Sequence, residues 1–235
     1  MENGKIVLVN YTGKVVSNSE IFETTEEKKA VEGGIFQEGR KYMPLPIVTG
    51  NGEMLKPIEE AIDRMKSGET KKIVLKPSEA FGERKAEMIV VVPLAEFRRR
   101  EINPVPGLVI DLNNQRGKVQ SVSGGRVRVD FNHPLAGKDI EYEIKIEKEL
   151  KSNREKIDAF FEKYFGMIPE KEKKLSIKEN KVDVAIDAKY AEGIAPLKKA
   201  FSDAITKNIK AIESVKFTEE FTAEKKTIPA KKAKK

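Results

Sequence analysis

The chain has 235 residues and a formal net charge of +7, with no cysteine and a single histidine, His133. This composition excludes a thiol nucleophile, a disulfide and a cysteine-based zinc site, and one histidine without a partner at ligand spacing argues against a metal centre. Residues 1–150 contain 24 basic and 24 acidic residues, whereas residues 151–235 contain 21 and 14. Six lysines lie between Lys225 and Lys235, so we expect a disordered basic tail over residues 224–235.

The size and polarity of the chain are typical of a globular protein. Hydrophobic residues make up 39% of the sequence, which is enough for a buried core, and the length favours more than one domain. Apolar runs are much shorter than the roughly 20 residues that a membrane-spanning helix needs. The N-terminal sequence MENGKIVLVNY lacks the pattern of a signal peptide. We therefore expect a cytoplasmic protein without a membrane partner.

The N-terminal segments predict two strands and a polar connection. KIVLVNYTGKVV (5–16) predicts a strand broken at Gly13, and SEIFETT (19–25) follows it. Residues 26–44 are polar and contain adjacent glycines, so they predict a loop or a short helix.

Residues 45–77 predict a strand, a helix and a second strand. Pro57 suits the first turn of the helix, and Gly68 suits the position just past its end. The apolar residues that recur at helical spacing are Met54, Leu55, Ile58, Ile62 and Met65.

The sequence from residue 89 to residue 150 is typical of antiparallel β structure. Short alternating segments are separated by turn residues, and Ser123-Gly124-Gly125 predicts a hairpin connection. Val127, Val129 and Phe131 would share one face of the strand that follows. The last segment, DIEYEIKIEKEL (139–150), places Ile140, Tyr142, Ile144 and Ile146 on one face.

A different pattern begins at Ser152. Ser152 and Glu155 have the spacing of a capping box, and Gly166 suits the end of the helix that they begin. Two strands are predicted around Glu179-Asn180, then a helix over 191–212 and a last strand over 214–221. The apolar faces of the two helices are Ile157, Phe160, Phe161, Tyr164 and Phe165, and Leu197, Phe201, Ile205, Ile209 and Ile212. Residues 151–223 therefore predict a separate small α+β domain.

Four motifs in order resemble the FKBP family of peptidyl-prolyl isomerases, most closely its SlyD-like, long archaeal type. They are VNYTGKV, IFETT, PLPIVTGNGEMLKPIEEAIDRMKSGETKKIVLKPSEAFGE and FNHPLAGKDIEYEIKI. The resemblance implies an α+β fold in which an antiparallel half-barrel sheet surrounds one helix. It implies an isomerase domain over 1–83 and 131–150, a β-rich insert-in-flap chaperone domain over 84–130, and the extra C-terminal domain over 151–223.

The implied reaction is cis–trans isomerisation of X-Pro bonds, which needs neither a nucleophile nor a cofactor. The barrier to rotation is about 18–20 kcal/mol because the amide is conjugated. The twisted transition state has lost this conjugation and is less polar at oxygen, so an apolar pocket that binds it selectively lowers the barrier.

The resemblance also assigns residues to the pocket, although ordinary core packing is the alternative for each apolar one. Pro57 replaces a frequent glycine. Glu23 stands where the family commonly has Asp, Ile58 where eukaryotic members have the Trp of the pocket floor, and Phe81 where a Tyr hydroxyl would bind the substrate carbonyl. The implied catalytic residues are Tyr11, Phe22, Glu23, Leu55, Ile58, Phe81 and Tyr142, and the implied substrate-binding residues are Leu45, Met54 and His133.

His133 has three interpretations from its neighbours alone: a catalytic base, a metal ligand or a turn residue. The flanking Asn132 and Pro134 favour the turn. Under the resemblance, FNHPLAG is the segment through which the chain re-enters the isomerase domain, so His133 would be a rim residue of the pocket and not a proton donor.

The expected partners are unfolded or nascent polypeptides, bound by the apolar segments MIVVVPLAEF (88–97) and PGLVIDL (106–112). One alternative is a holdase whose isomerase site is degraded at Glu23, Pro57 and Phe81. Another is contact of the lysine-rich tail with the ribosome or nucleic acid. A homodimer through the C-terminal domain is a further expectation, with the helix IDAFFEKYF (157–165) either at that contact or packed within its own domain.

Overall fold

A computed structural model of the chain describes residues 4–112 and 114–221. The predicted basic tail over 224–235 lies outside these residues. The described strands and helices, in chain order, are β1 (Ile6–Val15), β2 (Ile21–Thr24), α1 (Glu27–Glu32), β3 (Leu45–Val48), α2 (Lys56–Arg64), β4 (Thr70–Leu75), β5 (Ile89–Pro93), α3 (Leu94–Arg99), β6 (Val109–Leu112), β7 (Gln115–Ser123), β8 (Arg126–Asp130), β9 (Ile140–Glu149), α4 (Asn153–Phe165), β10 (Lys173–Lys178), β11 (Lys181–Asp187), α5 (Ala195–Asn208) and β12 (Ser214–Glu220). The predicted α+β class is confirmed.

The first sheet is antiparallel and is built on β1 and β9. Its strand order is β2-β1-β9-β4, and β3 also pairs with β1. The alternation predicted for β9 is confirmed, since Ile140, Tyr142, Ile144 and Ile146 are all buried. Helix α2 packs Ile58 and Ile62 into the same core. The first sheet and helix α2 therefore share one apolar core.

Helix α2 is shorter than the apolar spacing predicts. It begins at Lys56, with Pro57 in its first turn as predicted, and it ends at Arg64. Met54 and Leu55 precede it, while Gly68 lies in the turn to β4 with φ of +85° and donates a hydrogen bond to Ile146 O. The apolar spacing runs past the helix because the residues before and after it also reach the core.

The second sheet, with order β5-β8-β7-β6, has its own core and one helix on one face. The hairpin between β7 and β8 is confirmed, and Gly124 and Gly125 take φ of +55° and +74°. Helix α3 corrects the sequence interpretation, which took this region for β structure throughout. Six residues are too few to show a helical period, and the valines before Pro93 masked the change.

The third sheet joins an antiparallel pair, β10 and β11, to β12, which runs parallel to β11. The capping box of Ser152 and Glu155 at the start of α4 and the end of α4 at Gly166 are confirmed. Helix α5 ends at Asn208, four residues before the predicted end. Ile209 and Ile212 remain buried because a turn after the helix brings both back to the core.

The C-terminal domain packs against the first sheet. Ile6, Val48 and Leu150 belong to the same apolar cluster as the inner faces of α4 and α5. The apolar side chains of α4, including Phe160 and Phe165, are therefore buried within this chain. Within the described part of the chain, no helix has the length and apolar character needed to cross a bilayer.

Candidate active site

A cleft of about 1180 Å³ opens between the first sheet and the second. Strand β1 contributes Tyr11 to its wall, and β9 contributes Tyr142. The other walls come from β2, the segment before α2, the segment after β4, residues 132–138, and side chains of the second sheet. Eight of the predicted site residues line it: Tyr11, Phe22, Glu23, Met54, Leu55, Phe81, His133 and Tyr142.

Gly13 leaves space on β1 for two aromatic side chains of the cleft. Strand pairing aligns it with Glu23 of β2 on one side and with Tyr142 of β9 on the other. A Cβ at Gly13 would lie 2.5 Å from Cζ of Phe22 and 3.1 Å from Cε1 of Tyr142. Since real Cβ atoms do not come as close as 2.5 Å to another carbon, only glycine lets the Phe22 ring cover β1 at this point.

Tyr142 donates a hydrogen bond to Glu23 across Gly13. Neighbouring strands lie about 4.8 Å apart, so the two residues are separated by two strand spacings. The glutamate side chain, one methylene longer than aspartate, spans this gap. Glu23 therefore has a defined partner in the cleft, and the tyrosine hydroxyl is held in one orientation.

Burial and the Glu23 carboxylate keep both tyrosines of the cleft protonated. Burial is the larger cause and the negative charge of Glu23 the second for Tyr11, and together they raise its pKa to about 12. The same two causes raise the pKa of Tyr142 further, with its hydrogen bond to Glu23 adding to the effect. Both hydroxyls are neutral donors at physiological pH, as free tyrosine is, and the raised pKa values extend this state to more alkaline pH.

Aromatic rings form the apolar wall of the cleft. Phe22 meets Tyr142 edge to face at 5.8 Å between ring centroids, and it meets Phe81 in the same way at 5.9 Å. Tyr11 and Tyr142 lie 6.2 Å apart with their rings tilted by 50°. These distances are typical of favourable aromatic pairs, which hold the wall in a fixed shape.

His133 lies in a turn and also forms part of the wall. Its carbonyl oxygen accepts a hydrogen bond from Ala136 N, and its Nδ1 accepts one from Leu135 N at 3.2 Å. Its ring is parallel to that of Phe81, with centroids 4.6 Å apart and an interplanar angle of 5°. The turn and the rim position are thus compatible, and the role of His133 in binding stays a prediction.

Two predicted residues are not on the wall of the cleft. Ile58 is fully buried in the core behind it, where Tyr11 and Leu55 pack against the same cluster. Leu45 lies on β3 and lines a separate cleft of about 370 Å³ beside α4. Ile58 can support the wall from behind, whereas Leu45 is directed toward the C-terminal domain.

The structure adds residues to the cleft that the sequence interpretation did not assign. Residues 134–138 follow His133 along the rim, and Glu53 also lines the cleft. Lys118 and Asp130 reach the cleft from the second sheet. The FNHPLAG segment was the available signal for residues 134–138. No local pattern in β7 or β8 indicates that these strands border a cleft.

Family models match three parts of the chain. One described as "FKBP-type peptidyl-prolyl cis-trans isomerase" matches residues 1–97. One described as "FKBP26, IF domain" matches residues 90–135, and one described as "FKBP26_C-terminal" matches residues 153–222.

The chain is similar to several curated peptidyl-prolyl isomerases. It is 32% identical over 146 residues to the short-type peptidyl-prolyl cis-trans isomerase of Methanocaldococcus jannaschii, covering 62% of this chain and 92% of that protein. It is 28% identical over 108 residues to a probable FKBP-type 16 kDa isomerase of Pseudomonas fluorescens, covering 44% and 71%. It is 30% identical over 106 residues to the FKBP-type isomerase SlyD of Helicobacter pylori, covering 44% and 57%.

The match to the M. jannaschii protein covers 92% of that protein. The enzyme class predicted from the four motifs is confirmed by these comparisons. The chain belongs to the FKBP-type peptidyl-prolyl cis-trans isomerase family.

Proposed function

We propose that the cleft catalyses isomerisation of X-Pro bonds in unfolded or nascent polypeptides by binding the twisted amide. The observation that carries the proposal is the wall formed by Tyr11, Phe22, Phe81 and Tyr142, which is aromatic and held by fixed ring contacts. Such a wall favours an amide that has lost conjugation over the more polar planar form. Each preference of about 1.4 kcal/mol for the twisted form raises the rate tenfold.

The proposed roles follow from position. Phe22, Leu55 and Phe81 would contact the proline ring, since they are half-buried and line the cleft. Tyr11 and Tyr142 would supply neutral hydroxyls, and the pKa of each is raised by burial. Phe81 has no hydroxyl that could donate a hydrogen bond to the substrate carbonyl. Such a hydrogen bond contributes about 0.5–1.5 kcal/mol, so we expect slower turnover than a tyrosine at this position would give.

We further propose that the second sheet with α3 is an insert-in-flap chaperone domain, within the boundaries 84–130. Four valines of this region have exposed side chains: Val90, Val91, Val105 and Val109. Exposed apolar groups in a solvent-facing domain support binding of unfolded chains. Holding a client there raises the effective concentration of its prolyl bonds at the cleft.

The remaining parts of the proposal concern the whole chain. We propose the long archaeal type of organisation, with residues 1–83 and 131–150 as the isomerase domain and 151–223 as an extra domain. A cytoplasmic location is in keeping with the absence of cysteine. Two alternative proposals are contact of the basic tail with the ribosome or nucleic acid, and a homodimer through the C-terminal domain.

The test compares the intact chain with a variant in which residues 86–131 are replaced by a short loop. Lys85 and Asn132 exchange hydrogen bonds of 2.9 Å at the base of the insert, so this replacement joins two segments that already lie side by side. We expect both proteins to accelerate isomerisation of a short X-Pro peptide, and only the intact chain to accelerate refolding of a proline-limited protein. If neither protein accelerates the peptide while the intact chain suppresses aggregation, the holdase alternative is correct.

A further inference from the structure

The second sheet has one covered face and one bare face. Val119, Val127 and Val129 point toward α3 and are fully buried with Phe97. Side chains alternate along a strand, so the neighbours of these valines point the other way. They form a solvent-facing surface, which we call the bare face and define by Val91, Pro93, Val109, Lys118, Arg126 and Arg128, all of them exposed.

The bare face combines cations with apolar groups. Strand pairing sets Val91 opposite Arg128 and Pro93 opposite Arg126, while Lys118 is opposite Val109. Each cation on this face therefore has an apolar neighbour on the adjacent strand. A ligand that covers the face must satisfy positive charge and bury aliphatic surface together.

Among the residues that the structure describes, Lys118, Arg126 and Arg128 make no ion pair, whereas two acids of the same sheet are engaged. Asp130 pairs with Arg84, and Asp111 lies 3.7 Å from Arg116. The face consequently presents a net positive charge that its own acids do not neutralise.

The bare face is continuous with the cleft. Lys118 lies opposite Asp130 across β7 and β8, and both residues also line the cleft that contains Tyr142. An extended chain leaving the cleft on this side would therefore pass directly onto the bare face. This continuity identifies the occupant as a part of the same polypeptide whose prolyl bond is in the cleft.

We infer that the bare face selects client segments in which acidic residues are interspersed with aliphatic ones next to the proline bound in the cleft. The inference rests on the proposed function, and it specifies the clients that this function would favour. The complementary charge raises the rate of encounter and disfavours basic segments. Polypeptide fits the surface better than single-stranded nucleic acid, because the face offers aliphatic groups and no aromatic ring on which a base could stack.

The experiment uses the full chain and three unstructured fluorescent peptides that differ in one respect. Each contains one Leu-Pro bond followed by valines and leucines, and the residues between them are all Glu, all Gln or all Lys. A length of about 15 residues is sufficient, since an extended chain spans about 3.3 Å per residue. Dissociation constants are measured by fluorescence anisotropy at low and high salt.

We expect the Glu peptide to bind about tenfold more tightly than the Lys peptide at low salt, with the difference largely lost at high salt. Replacing both arginines, Arg126→Glu with Arg128→Glu, should reverse the order of the two peptides. The matched control is Arg98→Glu with Arg99→Glu, which changes the net charge equally on the exposed side of α3. The control should keep the order, and circular dichroism verifies that both variants are folded.

Equal binding of the three peptides by the wild-type chain overturns the inference. A reversed order of the Glu and Lys peptides in the Arg98→Glu, Arg99→Glu control also overturns it. An oligonucleotide that displaces the Glu peptide from the wild-type chain, but not from the Arg126→Glu, Arg128→Glu variant, also overturns it in favour of nucleic acid. A blocked tetrapeptide that is too short to reach the bare face reports the cleft alone. Its isomerisation separates the two proposals: loss of selectivity with normal tetrapeptide turnover refutes only the inference, whereas absence of tetrapeptide turnover refutes the isomerase cleft.

Discussion

Tyr142 and Glu23, which lie two strands apart, share a hydrogen bond across Gly13. This contact crosses β1 at the one position where the strand has no side chain. It fixes the orientation of a tyrosine hydroxyl in the cleft and gives the half-buried Glu23 carboxylate a partner.

The substitution Gly13→Ala should therefore damage the cleft. The added Cβ would overlap the Phe22 ring at 2.5 Å, so either the ring or β1 must move. We expect a loss of about 1–3 kcal/mol in the free energy of unfolding, as for other overpacked sites, together with a clear fall in kcat/KM for a short X-Pro peptide. Denaturant unfolding and the peptide assay measure the two effects. Unchanged values for both would show that the rings do not depend on this glycine.

The two tyrosines of the cleft should ionise at a higher pH than free tyrosine does. The pKa of Tyr11 is raised to about 12 and that of Tyr142 is also raised, each mainly by burial. A raised pKa means that the native state holds the proton more tightly than the unfolded chain, whose tyrosine pKa is about 10. The resulting stabilisation is complete below about pH 10 and is lost as the pH rises through the native values.

Tyrosinate absorbance measured against pH tests this expectation. Tyr11→Phe and Tyr142→Phe should each remove absorbance from the most alkaline part of the curve, provided that the chain remains folded there. The prediction is wrong if either substitution removes absorbance near the pH at which free tyrosine ionises.

Stacking of the His133 ring on Phe81 should support the activity of the cleft. His133→Ala removes the parallel ring at 4.6 Å and frees Phe81 to change rotamer, so we expect kcat/KM to fall by about two- to tenfold, in line with an aromatic pair of about 0.5–1.5 kcal/mol. His133→Phe keeps a flat ring and should retain most of the activity. A proton-transfer role would give the opposite pattern, with both substitutions equally harmful.

The C-terminal domain should support the rim of the cleft through one ion pair. Lys163 of α4 contacts Glu53 at 2.6 Å and the carbonyl oxygen of Pro46 at 3.3 Å, while Glu53 also accepts a hydrogen bond from Val48 N. Lys163→Met should therefore loosen the segment between β3 and α2, and lower kcat/KM by up to about fivefold. The control Lys207→Met breaks a more exposed pair with Asp203, and should have no effect because neither residue lines the cleft.

The capping box of α4 should make stability depend on acid pH. Hydrogen bonds from Lys148, the largest cause, and from Ser152 lower the pKa of the Glu155 carboxyl from 4.5 to about 2. The lowered pKa means that the stabilisation is present above the unfolded value and is lost as the pH falls toward 2. Glu155→Gln should thus reduce the melting temperature at neutral pH, and the difference from wild type should shrink below pH 4. Glu192→Gln, at an exposed glutamate of the same domain, is the control.

Local patterns in the sequence determined several of the secondary-structure elements. The alternation in β9, the hairpin at Gly124-Gly125 and the capping box at Ser152 each depend on neighbours within a few residues, so they could be predicted from local rules. The order of the four motifs indicated the family, and eight of the ten predicted site residues came together in one cleft.

Only the tertiary structure decided which of these side chains reach the cleft and what borders it. Ile58 and Leu45 are apolar residues like Leu55, but packing places Ile58 behind the wall and turns Leu45 toward α4. The contact of Tyr142 with Glu23 depends on two strand pairings and on the missing side chain of Gly13 between them. The bare face next to the cleft depends on which side of the second sheet α3 covers. These relationships join residues more than a hundred positions apart or opposite faces of one sheet, and no local spacing encodes them.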